Sequence, residues 1–200
     1  CEENQKKYKL TLRPFSVLSN NVRRNGMVRI ATPLLENLNN ELGDSVYLGV
    51  KSGKNVMYLL HFDSKKEVRI NGRVGGEYPL NCSAPGKVLL SYSKSDEIKT
   101  YFNDSISKMT ENTIVDYSHF NSEAINIRQR GYAIDNEEFA KGIICIASPV
   151  FDFDGRIVAC VGLSTLTLYD SIDSLTDRKL ELLKGVADEI SKKLGYNAKE

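Results

Sequence analysis

The segment from Ile143 to Thr165 constrains the fold of this 200-residue chain more than any other stretch. It consists of IICIASPV, then FDFDG, then RIVACVGLST, so two apolar runs flank a short connection. Apolar runs of this length, rich in β-branched residues and joined through an Asp-Gly pair, predict a β-hairpin. We expect Asp154 and Gly155 to supply the positive φ angles of the turn, and we assign the turn no chemistry.

Three further stretches predict strands. Apolar residues alternate in SVYLGV and again in NVMYLL, and KSGKN lies between them, so residues 45–62 predict a second hairpin. Val68 and Ile70 predict a third strand, which Gly75 and Gly76 end. The sequence YAID, residues 132–135, predicts another strand shortly before the 143–165 hairpin.

Helical spacing of apolar residues predicts five helices in the same part of the chain. One covers about residues 27–42 and is stopped by Gly43, and the last runs from Thr176, its N-cap, to about Leu194. A short helix begins at Ser83, and residues 94–103 and 118–130 form two more. The order of helices and strands predicts an α+β fold in which helices flank a mainly antiparallel sheet.

Charge and cysteine content argue against several classes of protein. The net charge of +1 gives no sign of binding to nucleic acid or to an anionic membrane. Four cysteines, at positions 1, 82, 145 and 160, contain no C-x-x-C pair and no disulfide pattern, and the two histidines are far apart, so we expect neither a metal site nor a cofactor. Without a signal peptide or a membrane-spanning apolar run, the sequence predicts a soluble cytoplasmic protein.

Three stretches in one order resemble a known family. They are YPLNCSAPGKVLL, then GYAIDNEEFAKG with the hairpin that follows it, and finally LTDRK with ADEISKKLGY. Together they resemble the effector-binding domain of the isocitrate-lyase-regulator (IclR) family of bacterial transcription factors, over residues 8–196. The resemblance implies a GAF-like fold, a homodimer or homotetramer, and a winged helix-turn-helix DNA-binding domain that precedes this chain.

The resemblance also implies how the chain is divided. Residues 8–12, which have a strand pattern, would end the wing of the DNA-binding domain, and residues 13–25 would form a linker helix. Residues 1–25 would then belong with the absent domain, and residues 26–200 would form the effector-binding domain. Because the chain begins with Cys1 rather than Met, we expect a fragment of a longer protein, which binds operator DNA through its N-terminal domain alone.

Family members bind a small organic effector, often a carboxylate or an aromatic acid, in a pocket at one end of the sheet. The resemblance places the effector-binding positions of this chain at Ile70, Ala84, Pro85, Asp135, Cys145, Gly162 and Ser164. Two of these positions depart from the pattern of many members. Pro85 has no N–H to donate to an anion, and Gly162 lacks the hydroxyl of a serine. Both departures favour a larger or less polar effector.

The residues themselves support part of this assignment. Cys160, Gly162 and Ser164 share one face of a strand, where Gly162 would leave space and Ser164 offers a donor and an acceptor. The helix that begins at Ser83 presents backbone N–H groups and the positive end of its dipole, which suit an anion. We expect the side chain of Lys87, in the first turn of that helix, to point into solvent.

Each feature also has an ordinary structural interpretation, which the sequence leaves open. The turn at Ser83 can be a plain helix start, Cys145 can be a small buried hydrophobe, and Asp135 can be a solvated loop charge. Two other functions stay open as well. One is a cysteine-dependent enzyme with Cys145 or Cys82 as nucleophile, for which the sequence supplies no activating base. The other is an oligomerisation module with a vestigial pocket.

Overall fold

The structure is a computed structural model that describes residues 26–104 and 106–197. The strand predicted at residues 8–12 and the helix predicted at 13–25 lie outside the described residues. Within them, a six-stranded sheet lies between two groups of helices, which confirms the predicted α+β fold.

The elements follow one another as α1 Gly26–Leu42, β1 Ser45–Ser52, β2 Asn55–Phe62, β3 Glu77–Pro79, α2 Ala84–Ser91, α3 Ser95–Asn103, α4 Tyr117–Arg130, β4 Ala133–Asn136, β5 Ile143–Phe151, β6 Ile157–Leu166, α5 Ile172–Ser174 and α6 Leu180–Lys193. A wider, kinked helical segment, Leu175–Lys179, joins α5 to α6. The strands are ordered β3-β2-β1-β6-β5-β4, and every neighbouring pair is antiparallel. The two hairpins are therefore joined in the middle of the sheet, where β1 pairs with β6.

Each central strand contributes residues to two separate hydrophobic cores, one on each face of the sheet. Val46 and Leu48 of β1 belong to the core that α1 and α6 cover, whereas Tyr47 between them belongs to the core beneath α2, α3 and α4. In β5, Ile144 belongs to the first core and Cys145 to the second. Since alternate residues of a strand point to opposite faces, the unbroken apolar run of β5 is explained by burial on both faces.

Local sequence explains where α2 and α4 begin and where α4 ends. The side chain of Ser83 accepts a hydrogen bond from Gly86 N at the start of α2, and Asp116 accepts one from His119 N at the start of α4. Gly131 ends α4 with a φ of 78°, the left-handed conformation that glycine adopts without strain. These helix boundaries agree with the predicted ones to within one residue.

The strand predicted at Val68 and Ile70 is wrong. Residues 63–76 form no strand, and the third strand is instead the short β3. Val68 is 55% exposed, while Ile70 turns toward the interior, because this segment crosses one end of the sheet rather than pairing with β2. Between Lys65 and Ile70, two alternating apolar residues among four charged ones are too few to bury a strand face.

Two smaller predictions are also corrected. The final helical region begins at Ile172 rather than at Thr176, because Ser171 and Ser174 cap it reciprocally. In the turn between β5 and β6 the positive φ is found at Gly155, at 73°, and not at Asp154. The carboxylate of Asp152 closes that turn by accepting hydrogen bonds from the N–H groups of residues 154 and 156.

Candidate functional site

A cavity of about 40 Å³ lies at one end of the sheet, on the side that α2 covers. Strands β1, β2, β5 and β6 contribute its floor, and the start of α2 and the end of β4 form its walls. Residues of the segment between β2 and β3 close it from above. The lining residues are Ser45, Tyr47, Tyr58, His61, Ile70, Gly72, Tyr78, Ser83, Pro85, Asp135, Phe139, Ile143, Cys145 and Ser164. A volume of this size holds no more than a few water molecules.

Five of the seven predicted site residues line this one cavity, namely Ile70, Pro85, Asp135, Cys145 and Ser164. They come from five different elements or connections, which the sheet order brings together. Ala84 and Gly162 do not line it. Ala84 is fully buried in the core beneath α2, one residue away from the wall that Pro85 forms.

The prediction that Gly162 leaves space for an effector is wrong. Gly162 pairs with Tyr47 across β1 and β6, and the Tyr47 ring lies directly against it. A Cβ atom at position 162 would overlap that ring. Gly72 admits the ring of His61 in the same way. The space left by the absence of a side chain at Gly162 is therefore filled by the Tyr47 ring.

Stacked aromatic rings fill much of the space beside the cavity. The rings of Tyr47 and Tyr58 are nearly parallel, with centroids 4.2 Å apart, and Tyr78 follows with its centroid 4.6 Å from that of Tyr58. Phe139 meets Tyr78 edge to face at 5.6 Å. The sequence analysis missed these residues as site residues. Period-two alternation in the β1–β2 hairpin could have placed Tyr47 on this side of the sheet, opposite to Val46.

The polar groups of the cavity are mainly hydroxyls. Ser164 Oγ lies 3.0 Å from Cys145 Sγ and 3.3 Å from the hydroxyl of Tyr47. Burial raises the pKa of Tyr47 and of Tyr58 well above the ordinary value, so both hydroxyls stay protonated. Among the described residues that line the cavity, none is Lys or Arg.

Asp135 is a buried part of the site, so the interpretation as a solvated loop charge is wrong. The side chain is 1% exposed, and its Oδ1 accepts hydrogen bonds from Glu138 N at 2.8 Å and Phe139 N at 3.3 Å. Burial, and then the nearby Glu138 carboxylate, raise the pKa of Asp135 to about 7, although Lys87 acts in the opposite direction. Both the neutral and the ionised form are therefore available near neutral pH.

The expectation that Lys87 points into solvent is also wrong. The residue is 2% exposed, and its ammonium group forms a buried ion pair with Glu138. This pair joins α2 to the turn that follows β4, where Glu137 has a left-handed φ of 56°. Because a buried charge without its partner is strongly destabilising, the pair fixes the turn whose N–H groups hold Asp135.

The start of α2 has fewer free N–H groups for binding an anion than its sequence suggested. Ser83 is its N-cap, as predicted, but its Oγ accepts the N–H of Gly86, and Pro85 has no N–H. The carbonyl of Ser83 accepts the N–H of Lys87.

The three described cysteines are free and buried thiols. Burial raises the pKa of Cys82 to about 12 and the pKa of Cys145 well above its ordinary value. Such thiols are poor nucleophiles, because the thiolate is the reactive form. Within residues 26–104 and 106–197, no three His, Cys, Asp or Glu side chains lie close enough together to hold a metal ion. No helix in these ranges is sufficiently long and apolar to cross a membrane.

An α+β domain with a small pocket at one end of its sheet is the class that this fold and site define. Residues 19–192 match the family model described as bacterial transcriptional regulator IclR C-terminal. The chain therefore belongs to the IclR family of bacterial transcriptional regulators, and it carries the C-terminal domain of that family.

Relatives and solved structures agree with this assignment. The HTH-type transcriptional regulator KdgR of Escherichia coli is 31% identical over 197 residues, which are 98% of this chain and 74% of KdgR. The crystal structure of IclR from Thermotoga maritima has a TM-score of 0.84 at 31% identity, covering 97% of this chain and 78% of that chain. The inducer-binding domain of PobR from Acinetobacter, a double mutant in complex with 3-hydroxybenzoic acid, shares the fold with a TM-score of 0.75 at 24% identity, covering 82% and 96%.

Replacing Gly162 by Ala should destabilise the protein by about 1–3 kcal/mol, the usual range for overpacking a core. The new methyl group would overlap the Tyr47 ring, so the ring or the strand backbone would have to shift. Gly185→Ala is the matched control, because Gly185 is exposed within α6 and nothing lies within 4 Å of its new Cβ. That control should gain about 0.5–1 kcal/mol. Urea unfolding measures both changes, and equal effects would contradict the close packing at Gly162.

Asp135→Asn should change how stability depends on pH. The folded carboxyl keeps its proton up to about pH 7, whereas the unfolded one loses it near pH 4, so native stability falls as pH rises between these values. Asn removes that fall and can still accept the two N–H groups. Between pH 5 and pH 8 the variant should gain about 2 kcal/mol relative to the native chain. Urea unfolding at both pH values tests this, with the exposed Asp116→Asn as control, and a constant difference would contradict it.

Proposed function

We propose that this chain is the effector-sensing part of a transcriptional regulator and that it binds a small organic acid in the cavity between α2 and the sheet. Occupancy of the cavity would alter operator binding by a winged helix-turn-helix domain N-terminal to these residues. The observation that carries the proposal is the convergence of Ile70, Pro85, Asp135, Cys145 and Ser164 around one cavity. A core that is merely packed has no need to bury a carboxyl group and several hydroxyls beside an apolar cavity.

The chemistry of the cavity suits an acid that binds together with a proton. None of its described lining residues is Lys or Arg, and burial lowers the pKa of His61, so a bound carboxylate meets no permanent cation there. Asp135 can take up a proton near pH 7 and then donate a hydrogen bond to that carboxylate, since a neutral carboxyl group is a donor. Ser164 and the hydroxyl of Tyr47 supply further hydrogen bonds. The apolar walls, which include Ile70 and Phe139, favour a hydrocarbon or aromatic body.

Binding must be accompanied by a change of shape. A cavity of about 40 Å³ holds only a few water molecules, so an acid with a hydrocarbon or aromatic body needs a wider cavity. An effector shifts the equilibrium toward the form with the wider cavity by its higher affinity for that form. Coupling of about 1–3 kcal/mol between effector and operator would change operator affinity roughly 5- to 150-fold.

The remaining features of the whole regulator are part of the same proposal. Residues 1–25 would contain the end of the wing strand and the linker helix, and residues 26–200 would form the effector-binding domain. The regulator would act in the cytoplasm as a homodimer or homotetramer. The names of the relatives, which are HTH-type regulators, and the inducer complex of PobR support this proposal.

The two other functions have less support. A cysteine-dependent enzyme would need an accessible thiolate, whereas Cys145 and Cys82 are buried with raised pKa values. An oligomerisation module would not need a buried Asp135 with a pKa near 7 beside a cavity. Ligand binding distinguishes the sensor from the module directly.

A thermal-shift screen against small aliphatic and aromatic carboxylic acids, 3-hydroxybenzoate among them, tests the proposal. An acid present at 100 times its dissociation constant should stabilise the chain by about 2.7 kcal/mol. Ser164→Phe should remove the shift, because the ring would fill the cavity. Ser164→Val, a smaller change, should weaken the shift if the phenylalanine variant does not fold. Ser118→Phe, at an exposed position of α4, is the control and should respond normally. A full response in folded Ser164→Phe would place the effector elsewhere.

A further inference from the structure

The segment Lys65–Gly75, here called the roof segment, covers the cavity with little support of its own. Most of its residues are exposed. Those that are half-buried are Lys66, Ile70 and Gly72, and the last two line the cavity. The roof segment is therefore held by a few inward contacts, and any route from solvent to the cavity on this side passes beneath it.

Backbone hydrogen bonds fix the two ends of the roof segment. At its first end, Lys65 N donates to Gly43 O at 2.9 Å, next to Ser64 Oγ, which donates to the same carbonyl at 2.8 Å. At its second end, Gly75 N donates to Tyr58 O at 2.8 Å, and Gly75 has a φ of 76°. A glycine with a left-handed φ is a natural hinge, because such backbone changes cause it little strain.

Between these ends, Lys66 enters a closed arrangement of four charges, here called the ion ring. Its ammonium group lies 2.5 Å from Asp44 Oδ1 and 3.1 Å from Asp170 Oδ2. Lys179 lies 2.7 Å from the other oxygen of Asp44 and 2.8 Å from the other oxygen of Asp170. Each carboxylate thus binds both ammonium groups, and each ammonium group binds both carboxylates.

The carboxylates of the ion ring are buried, whereas the side chains of Lys66 and Lys179 are 24% and 19% exposed. The side chain of Asp44 is 0% exposed and that of Asp170 is 9% exposed. Burial alone would raise the pKa of Asp170, but hydrogen bonds from Lys179 and Lys66 lower the pKa to about 2. Lys66 also lies over the ring of Tyr169, 4.7 Å from its centroid, and the hydroxyl of Tyr169 accepts the N–H of Val68.

The ion ring also connects the roof segment to α1. Asp44 follows α1 by two residues, and Asn39 of α1 donates hydrogen bonds to the carbonyls of Asp44 and Asp63, each at 2.8 Å. One side chain of the helix therefore holds both Asp44 and Asp63, and Asp63 lies two residues before the roof segment. Movement of the roof segment away from the cavity pulls Lys66 from a carboxylate attached to the end of α1.

We propose that the ion ring is a latch that keeps the roof segment closed over the cavity, and that its release couples entry of the effector to the end of α1. The proposal rests on the proposed function in one respect, namely that this cavity is where the effector binds. The roof segment moves outward about Gly75 when Lys66 leaves Asp44 and Asp170. An effector that holds the roof segment open would thereby leave Asp44 with Lys179 as its remaining ring partner.

The rate at which Cys145 reacts with iodoacetamide measures opening of the roof segment, because Cys145 lines the cavity. Lys66→Met keeps a long unbranched side chain and removes the charge. In this variant, labelling of Cys145 should accelerate roughly tenfold, as expected when a local opening becomes easier. Labelling of Cys160, which is fully buried away from the cavity, should stay at the native rate. Mass spectrometry of the peptides resolves the two cysteines in one sample.

Three further variants sharpen the test. Asp170→Asn leaves Lys66 paired with Asp44, so Cys145 labelling should rise by a smaller factor. Combining it with Lys66→Met should add little, because both changes break the same ring. Lys54→Met removes an exposed ion pair with Asp104 far from the roof segment and should leave labelling unchanged.

Two outcomes would overturn the latch. One is native labelling of Cys145 in folded Lys66→Met, and the other is equal acceleration of Cys145 and Cys160, which indicates global unfolding. The experiment uses no effector, so its result is independent of the thermal-shift screen. A chain that binds acids but labels Cys145 at the native rate in Lys66→Met refutes the latch alone. Accelerated labelling of Cys145 in Lys66→Met, without binding of any acid, refutes the effector site and supports the latch.

Discussion

The pairing of β1 with β6 is the constraint on which the rest of this structure depends. It pairs residues that are more than half of the chain apart, because it brings Tyr47 against Gly162 and Ser45 beside Ser164. The walls of the cavity lie around this pair of strands, with α2 on one side and β4 and β5 on the other. Such a non-local contact forms slowly in folding, because the entropy of closing a long loop is lost before the contact contributes.

Buried polar groups give the same region its chemical character. The ion pair of Lys87 with Glu138 fixes the turn after β4, and that turn supplies the N–H groups that hold Asp135. A low-dielectric interior strengthens polar contacts that are formed and makes an unpaired polar group costly. This arrangement is therefore rigid as long as each partner is present. The roof segment is different, since it has mostly exposed residues and depends on Lys66 for much of its attachment.

The sequence was sufficient for most of the local structure and for the family, but not for the shape of the site. The helix start at Ser83 and the two hairpins follow from short-range patterns, and so does the α+β class. Contacts between distant elements do not follow from such patterns. The ring over Gly162 and the ion pair that buries Lys87 depend on which strands and helices become neighbours, so space was expected where an aromatic ring lies and solvent where a carboxylate lies.

The position of Tyr47 over Gly162 means that the capacity of the cavity depends on a residue outside the three motifs that carry the resemblance to the family. A large side chain at 47 requires the smallest one at 162. A chain of the same fold with a small residue at 47 could carry serine at 162 and gain both volume and a hydroxyl at the floor. In this fold, ligand preference can therefore change when the residues at positions 47 and 162, which face each other across β1 and β6, are exchanged together. The rest of the fold can stay the same.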